Sequence, residues 1–385
     1  MSSPRLPTPG GVVILGAGPI GLACALLLSM RGIRSQLIDA RTLEQARQDR
    51  RLLALSRGTV QVLASRLGER FAPMAPILDV HVSSTGQFGA TRLSSRDFGG
   101  AALGATVWYS DLVSALGRAA QDDPNVIVHR PVRVLGLEQA PGSVVIQLDD
   151  ARRIEAAIAV NAEGSAAGGQ SASNIALLAD LEVEGLAPGT ALERFTREGP
   201  LALLPMPATD AAGPGTPKSM IWCAESNLAH SQMALSDAEF AGKIQAMLGP
   251  RIARVTRVGP RSRFPLQPQQ RLRLREHRMV YIGNAAQSLH PVAGQGFNLG
   301  MRDCICLADC LAKDPADPEA TLSRYEATRK ADRFAISTFT GGLPGLFTSR
   351  LAPAAWARSA ALTAFDTIAP LRRSLASVLM FGVRN

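Results

Sequence analysis

The sequence predicts an α/β protein with a Rossmann-like nucleotide-binding domain, an inserted strand-rich domain and a C-terminal helical tail. Three observations predict it. Residues 11–40, GVVILGAGPIGLACALLLSMRGIRSQLIDA, read as strand, glycine turn, helix, strand and acid. Residues 281–303, YIGNAAQSLHPVAGQGFNLGMRD, end a strand, turn on Pro291 and open a helix through a glycine-rich loop. Between them lie short strands bounded by loops rich in Ala, Gly and Pro.

In the first series, Val12 to Leu15 is an apolar strand, and Gly16, Gly18 and Gly21 follow in GxGxxG spacing before an apolar helix to Met30. The first glycine permits the tight turn, the second lets a pyrophosphate approach the backbone, and the third lets helix pack on strand. Ser35 to Ile38 forms the next strand and ends in Asp39, an acceptor placed for a ribose diol. The spacing alone is weak evidence, whereas the complete series defines a dinucleotide site. An apolar run of this length also resembles a signal or membrane-spanning segment. Three glycines and Pro19 break it, and Arg5 is the only cation ahead of it, so neither is expected.

Asp49 to Leu67 carries apolar residues at helical spacing, with Ser56 as a cap in its middle. Ile77 to Leu93 alternates as strand, Asp111 to Ala120 returns to helix, and Asn125 to Val160 gives a meander of three or four short strands. Residues 175–264 are strand-rich and suggest an open sheet crossed by a helix from Ser236 to Leu248. The strand ending at Gly283 is expected to rejoin the first sheet. A helix from Pro318 to Ile336, a Gly/Pro break at Gly341 to Gly345 and two weaker apolar segments complete the chain. The division is then 1–75, 105–170 and 270–335 for the nucleotide domain, 76–104 and 171–269 for the substrate domain, and 336–385 for the tail.

The formal charge of +9 permits contact with an acidic surface, either as a solvated basic face or against anionic lipid headgroups. The arginines are spread along the chain with no nucleic-acid motif, so nucleic acid is not an expected partner. Five cysteines form no CxxC pair and sit mostly in apolar helical runs. Buried thiols in a reducing cytoplasm are expected, with no metal centre and no disulfide framework.

Three motifs in fixed order carry a resemblance: GAGPIG at 16–21, DRRLLALS at 49–56 and GNAAQSLHPVAGQGFNLGMRD at 283–303. The chain resembles the class A FAD-dependent aromatic hydroxylases of the p-hydroxybenzoate hydroxylase fold. ERFTREGPLALLPM at 193–206 and IWC at 221–223 resemble the ubiquinone-biosynthesis branch, and within it the 2-polyprenyl-6-methoxyphenol hydroxylases. The resemblance implies FAD, with Gly16, Gly18 and Gly21 at the pyrophosphate, Asp39 at the adenosine ribose and Arg51 facing the cofactor from the side. It implies that Gly283 and Asn284 meet the ribityl chain and that Gly294, Gln295, Gly296 and Asn298 reach the isoalloxazine. Backbone N–H groups at such a helix start suit the charge a reduced flavin develops.

By the same resemblance the reaction is hydroxylation of a polyprenylated methoxyphenol through a flavin C4a-hydroperoxide, with Pro291 at the reaction centre. His290 either moves a proton or is structural. With one dinucleotide fingerprint, NADPH or NADH is expected only as a transient co-substrate. Leu203, Pro205, Met206, Trp222 and Phe264 lie on strands expected to border the pocket. The apolar substrate implies delivery from the inner-membrane surface or from other ubiquinone-pathway proteins, and a homo-oligomer is left open. The tail from Leu362 to Arg384, with Arg372 and Arg373, reads either as an interfacial element or as a cover on the FAD domain. The chain departs from the family at Ala162, Glu163 and Gly164, where Asp-Gly is usual. That departure prompts one alternative, a weakly catalytic flavin-binding scaffold; within the hydroxylase class the other is a sister hydroxylase acting at another ring carbon.

Overall fold

A computed structural model describes residues 11–68, 71, 73–85, 90–164, 173–207, 215–266, 269–288, 295–348 and 380, with backbone alone at 269, 295 and 334–348. His290, Pro291, Gly294 and the tail from Leu362 to Arg384, save Met380, lie outside the described residues.

Val12–Leu15 is four residues long and wholly buried. It sits inside a six-stranded sheet whose spatial order is Arg275–Glu276, Met279–Tyr281, Ile158–Asn161, Val12–Leu15, Ser35–Ile38, Val126–His129. All neighbours run parallel except the first pair, so the strand before Gly283 does rejoin this sheet. Central parallel strands need apolar residues on both faces, which is why VVIL reads as a continuous run rather than an alternation.

The helix Pro19–Ser29 is apolar almost all round because it lies between this sheet and the helices Tyr109–Gln121 and Gln295–Lys313. Leu22, Leu26 and Leu28 are each at most 1 % exposed. Burial of such a side chain contributes about 1.5–3 kcal/mol, enough to hold three helices on one sheet face.

The expected helix over Asp49 to Leu67 is half wrong. Leu52–Ser56 is a strand, paired antiparallel with Gly104–Trp108, and only Arg57–Leu67 is helical. Ser56 is nonetheless a cap, its hydroxyl accepting from the Thr59 N–H. LLALS fits either period at that length, and the cross-strand partner decides between them. The meander contributes five strands: Val126–His129 and Ile158–Asn161 enter the six-stranded sheet, and the three between form a separate sheet.

A seven-stranded sheet forms the other half, in the order Arg254–Leu266, Asn174–Glu184, Thr216–Glu225, Gly199–Pro205, Thr190–Thr196, Asp79–Ser84, Ala90–Ser94. The helices Ser226–Met233 and Asp237–Leu248 cover one of its faces, the second opened by a capping box between Ser236 and Glu239. Only the second helix was expected. The last helix runs Pro318–Thr348, straight through the Gly/Pro cluster that predicted a break. A glycine costs a helix about 1 kcal/mol and a proline about 3, penalties that a long helix can absorb.

Lys218 is fully buried in the seven-stranded sheet, and its ammonium donates to the carbonyls of Ala187, Pro188 and Thr190 at 2.9, 2.9 and 2.7 Å. Burial pushes its pKa down to about 8. The unfolded chain therefore keeps the extra proton from about pH 8 to 10, so stability rises with pH across that window, by at most about 3 kcal/mol. Lys218→Met is expected to lower stability, because three carbonyls lose their donor, and to flatten that slope in urea melts at about pH 7 and pH 10.

Candidate active site

The first glycine turn is shaped by what side chains would collide with. Gly16 has φ +96, and a Cβ there would lie 2.9 Å from the Glu163 nitrogen. At Gly21 it would lie 1.9 Å from the Gly16 carbonyl oxygen. Gly18 is the extended N-cap of the helix Pro19–Ser29, with no side-chain cap and with Pro19 as the first helical residue. Such an end presents backbone N–H groups and the positive dipole end outward, as a pyrophosphate requires. The Tyr109 hydroxyl stands 3.4 Å from where a Gly18 Cβ would be. Burial pushes the Tyr109 phenol up, against the pull of Arg41 and Arg51.

Asp39 is 7 % exposed and holds the turn from below. Its carboxylate accepts from the Ala17 N–H at 2.9 Å, the Arg41 N–H at 2.8 Å and Arg130 Nη2 at 3.2 Å. A carboxylate offers about four acceptor sites, so three are committed to protein donors and about one is left for a ribose hydroxyl. Beyond Arg130 opens a cavity of about 590 Å³ lined by Thr42, Leu43, Glu44, Gln121, Arg130 and Pro131 among others. The Glu163 carboxyl is pushed up by burial and by the nearby charge of Asp39.

The second glycine turn meets the first at Ile20. Gly283 has φ +59, and a Cβ there would lie 3.1 Å from Ile20 Cγ2; one at Gly300 would lie 2.7 Å from Ile20 Cδ1 and 3.1 Å from the Gly283 Cα. Two turns more than 260 positions apart are thereby packed on one residue. Gly283 opens a short 3-10 turn, Gly283–Ala285, that leaves Asn284 exposed. Gln295 and Gly296 form the start of the helix Gln295–Lys313. The bare Gly18 face, the open N-terminus behind it and the exposed Asn284 fit an elongated dinucleotide lying across both turns.

The Asn298 side chain also has a role within the protein, beside the place at the isoalloxazine that the resemblance implies. It is 2 % exposed, accepts from the Ser56 N–H at 2.8 Å and donates to the Ala54 carbonyl at 3.0 Å. It ties the start of the second-turn helix to the strand Leu52–Ser56. Arg51 lies just before that strand rather than on a helix. Its guanidinium bonds Asp49 at 2.6–3.0 Å and stacks over the rings of Phe264, at 4.6 Å, and Tyr109, at 5.2 Å. Arg51 thus joins the seven-stranded sheet to the glycine turn.

Strand alternation decides which residues of that sheet face away from its helices. Leu203 and Trp222 are 0 % exposed and pack with Phe240 and Ile244 beneath those helices, so on these strands they are core residues. Their neighbours Ala202, Leu204, Ile221 and Cys223 point the other way, and Ala176, Cys223, Leu266 and Ile221 form a small apolar cluster there. Burial and the nearby Glu193 keep the Cys223 thiol protonated by pushing it far up. Either parity reads alike in sequence, since LALLPM is apolar at nearly every position.

Sequence reasoning missed Tyr109, Arg41 and a buried charged group behind Gly283. Asp303 is 0 % exposed; it accepts from the Gly283 N–H at 2.9 Å and from Arg329 Nε at 2.6 Å. Arg329 also pairs with Asp332. The available signal was arginines recurring at 324, 329 and 333 on a helix that was assigned to the nucleotide domain without a role.

The geometry suits FAD, and the family and relatives place the chain among the FAD-dependent aromatic monooxygenases. The model of the FAD binding domain family matches residues 11–339, and the chain belongs to that family. It is 29% identical to the ubiquinone hydroxylase UbiL of Rhodospirillum rubrum over 94% of this chain and 87% of that protein. It is 25% identical to the 3-demethoxyubiquinol 3-hydroxylase of Escherichia coli over 95% and 97% of the two chains. Among solved structures, p-nitrophenol 4-monooxygenase PnpA of Pseudomonas putida shares the fold with a TM-score of 0.73 at 15% identity, over 99% of this chain and 100% of that one. No helix among the described residues is long and apolar enough to cross a membrane.

Proposed function

We propose that this protein hydroxylates a polyprenylated methoxyphenol in ubiquinone biosynthesis, with NADPH or NADH as transient hydride donor and O2 as oxygen source. The observation that carries the reading is the meeting of both glycine turns on Ile20, with Arg51 and Phe264 linking them to a sheet whose outward face carries a small apolar cluster. FAD, when bound, supplies the reduction of O2 and the transfer of an electrophilic oxygen to the ring. The chain supplies position and exclusion of water. Gly16, Gly18, Gly21 and Asp39 hold the adenosine diphosphate end, and Gly283 and Asn284 hold the ribityl chain. The N–H groups from Gly294 to Gly296 stabilise negative charge at the flavin's pyrimidine edge without reorganising. Pro291 receives the phenol through its carbonyl, and His290 moves its proton. The ubiquinone-pathway names of the two curated relatives support the substrate class.

Purified protein is expected to be yellow and to incorporate label from ¹⁸O2 into a prenylated methoxyphenol when NADPH or NADH is present. Protein that binds FAD but transfers no label to any phenolic precursor would refute the reading. The masses of quinone precursors accumulating in a deletion strain distinguish this ring position from the one in the Escherichia coli relative's name.

A further inference from the structure

Helix Pro318–Thr348 presents Tyr325, Arg329 and Arg333 at four-residue spacing, which places them on one face. All three are buried, at 0 %, 3 % and 4 % exposure. Each grips a successive point on one short segment of the flavin side. The Tyr325 hydroxyl donates to the Tyr281 carbonyl at 3.0 Å, at the end of the last sheet strand. Arg329 Nε donates to Asp303 at 2.6 Å, and the other oxygen of Asp303 accepts from the Gly283 N–H at 2.9 Å. Arg333 Nε donates to Gln287 Oε1 at 2.9 Å, and its Nη2 donates to the carbonyls of Ala286, at 3.2 Å, and Arg271, at 3.3 Å.

The segment so held begins where the sheet ends, turns at Gly283 with a left-handed φ, leaves Asn284 exposed and ends at Ser288, two positions before His290 in the sequence. Burying two arginines is costly unless they are paired and hydrogen-bonded. Asp303 and Asp332 lie against Arg329, and a nonspecific tail cover would need neither charge nor hydroxyl. An apolar stripe would seal the same helix onto the sheet at lower desolvation cost, but it would not fix three backbone groups at defined heights.

We propose that Tyr325, Arg329 and Arg333 form a positioning stripe that sets the Tyr281–Ser288 segment against the flavin and thereby tunes the cofactor's affinity and redox potential. The stripe touches neither cofactor nor substrate and acts through Asp303 and the backbone. The proposal rests on the reading that Gly283 and Asn284 meet the ribityl chain.

The test uses the full chain with Tyr325→Phe, Arg333→Gln and Arg329→Lys, and with Lys330→Ala, at an exposed position of the same helix, as control. FAD is titrated into apo-protein by fluorescence, and the visible flavin bands, midpoint potential and melting temperature are recorded for each. Tyr325→Phe, which deletes one oxygen, is expected to fold and to weaken FAD binding about tenfold, equivalent to one hydrogen bond. Arg333→Gln is expected to weaken it further and to shift both bands and potential. Arg329→Lys, which keeps the charge but loses the planar donor set, is expected to fall between wild type and Arg333→Gln. Variants that melt earlier yet keep wild-type FAD affinity, spectrum and potential would reduce the stripe to simple packing, as would an equal shift in Lys330→Ala. Failure of the wild-type apo-protein to take up FAD would instead refute the reading of the site itself.

Discussion

Gly21→Ala is expected to yield a protein that folds poorly and carries no flavin. The added methyl would lie 1.9 Å from the Gly16 carbonyl oxygen, and a backbone atom at the heart of the turn has no rotamer with which to escape. The helix Pro19–Ser29 must therefore lift from the strand Val12–Leu15, which moves its N-terminus away from the pyrophosphate position. Overpacking of a tight core costs about 1–3 kcal/mol, and here the strain falls on the binding turn itself. Gly300→Ala meets the same neighbourhood more gently, since its nearest contact is Ile20 Cδ1 at 2.7 Å, the end of a side chain. About tenfold weaker FAD binding is expected for that variant. Adding Ile20→Val, which deletes that atom, is expected to restore part of it, while no change at Ile20 rescues Gly21→Ala. The ratio of flavin to protein absorbance after purification, together with FAD titration, reads both results. Additive effects of Gly300→Ala and Ile20→Val would show that the two turns do not bear on one another.

That coupling marks the limit of what the sequence discloses. The glycine turn, the strand before Gly283 and the sheet rich in apolar strands are legible because each depends on local spacing: period two, period 3.6 or a glycine at a turn. Contacts between distant segments leave no such trace. Ser56 announces a cap by type and position, yet whether Leu52 to Leu55 extends the helix or forms a strand depends on Gly104–Trp108, about fifty residues on. Trp222 and Ile221 are both apolar, and only the placement of two helices decides which faces away from them. Arg329 and Arg333 carry no sign of burial in the sequence, and their role shows only when Asp303 and Gln287 are set beside them. Asp39 shows the same effect within a recognised motif: its type announces a ribose acceptor, while Ala17, Arg41 and Arg130 occupy most of its capacity.

Asn298 gives the second large expected effect. Its amide is both acceptor and donor to one strand, so Asn298→Ala leaves the Ser56 N–H and the Ala54 carbonyl, both on half-buried residues, without those partners. A fully buried unsatisfied group costs about 1–3 kcal/mol, so two half-buried ones predict a loss of about 1–3 kcal/mol and weakened flavin retention. Asn298→Asp separates the two bonds. An ionised carboxylate still accepts from Ser56, but it cannot donate, and it sets a buried negative charge against a carbonyl oxygen that now stands 3.0 Å from the amide nitrogen. Burial and that repulsion raise the new carboxyl's folded-state pKa above the unfolded value of about 3.9. The sign follows from linkage: the protonated form, which can donate to Ala54, is favoured in the folded state. The stability it contributes is full below the unfolded value and is lost as pH rises through the folded one. Urea melts are therefore expected to place Asn298→Asp near wild type at about pH 4 and at or below Asn298→Ala at about pH 8, whereas Asn298→Ala keeps a constant offset from wild type. A side chain whose duty was to the cofactor would give neither pattern in apo-protein. The clamp ties the strand carrying Ala54 and Ser56 to the helix start at Gln295, so a shift of that strand is expected to reach the groups proposed to face the flavin.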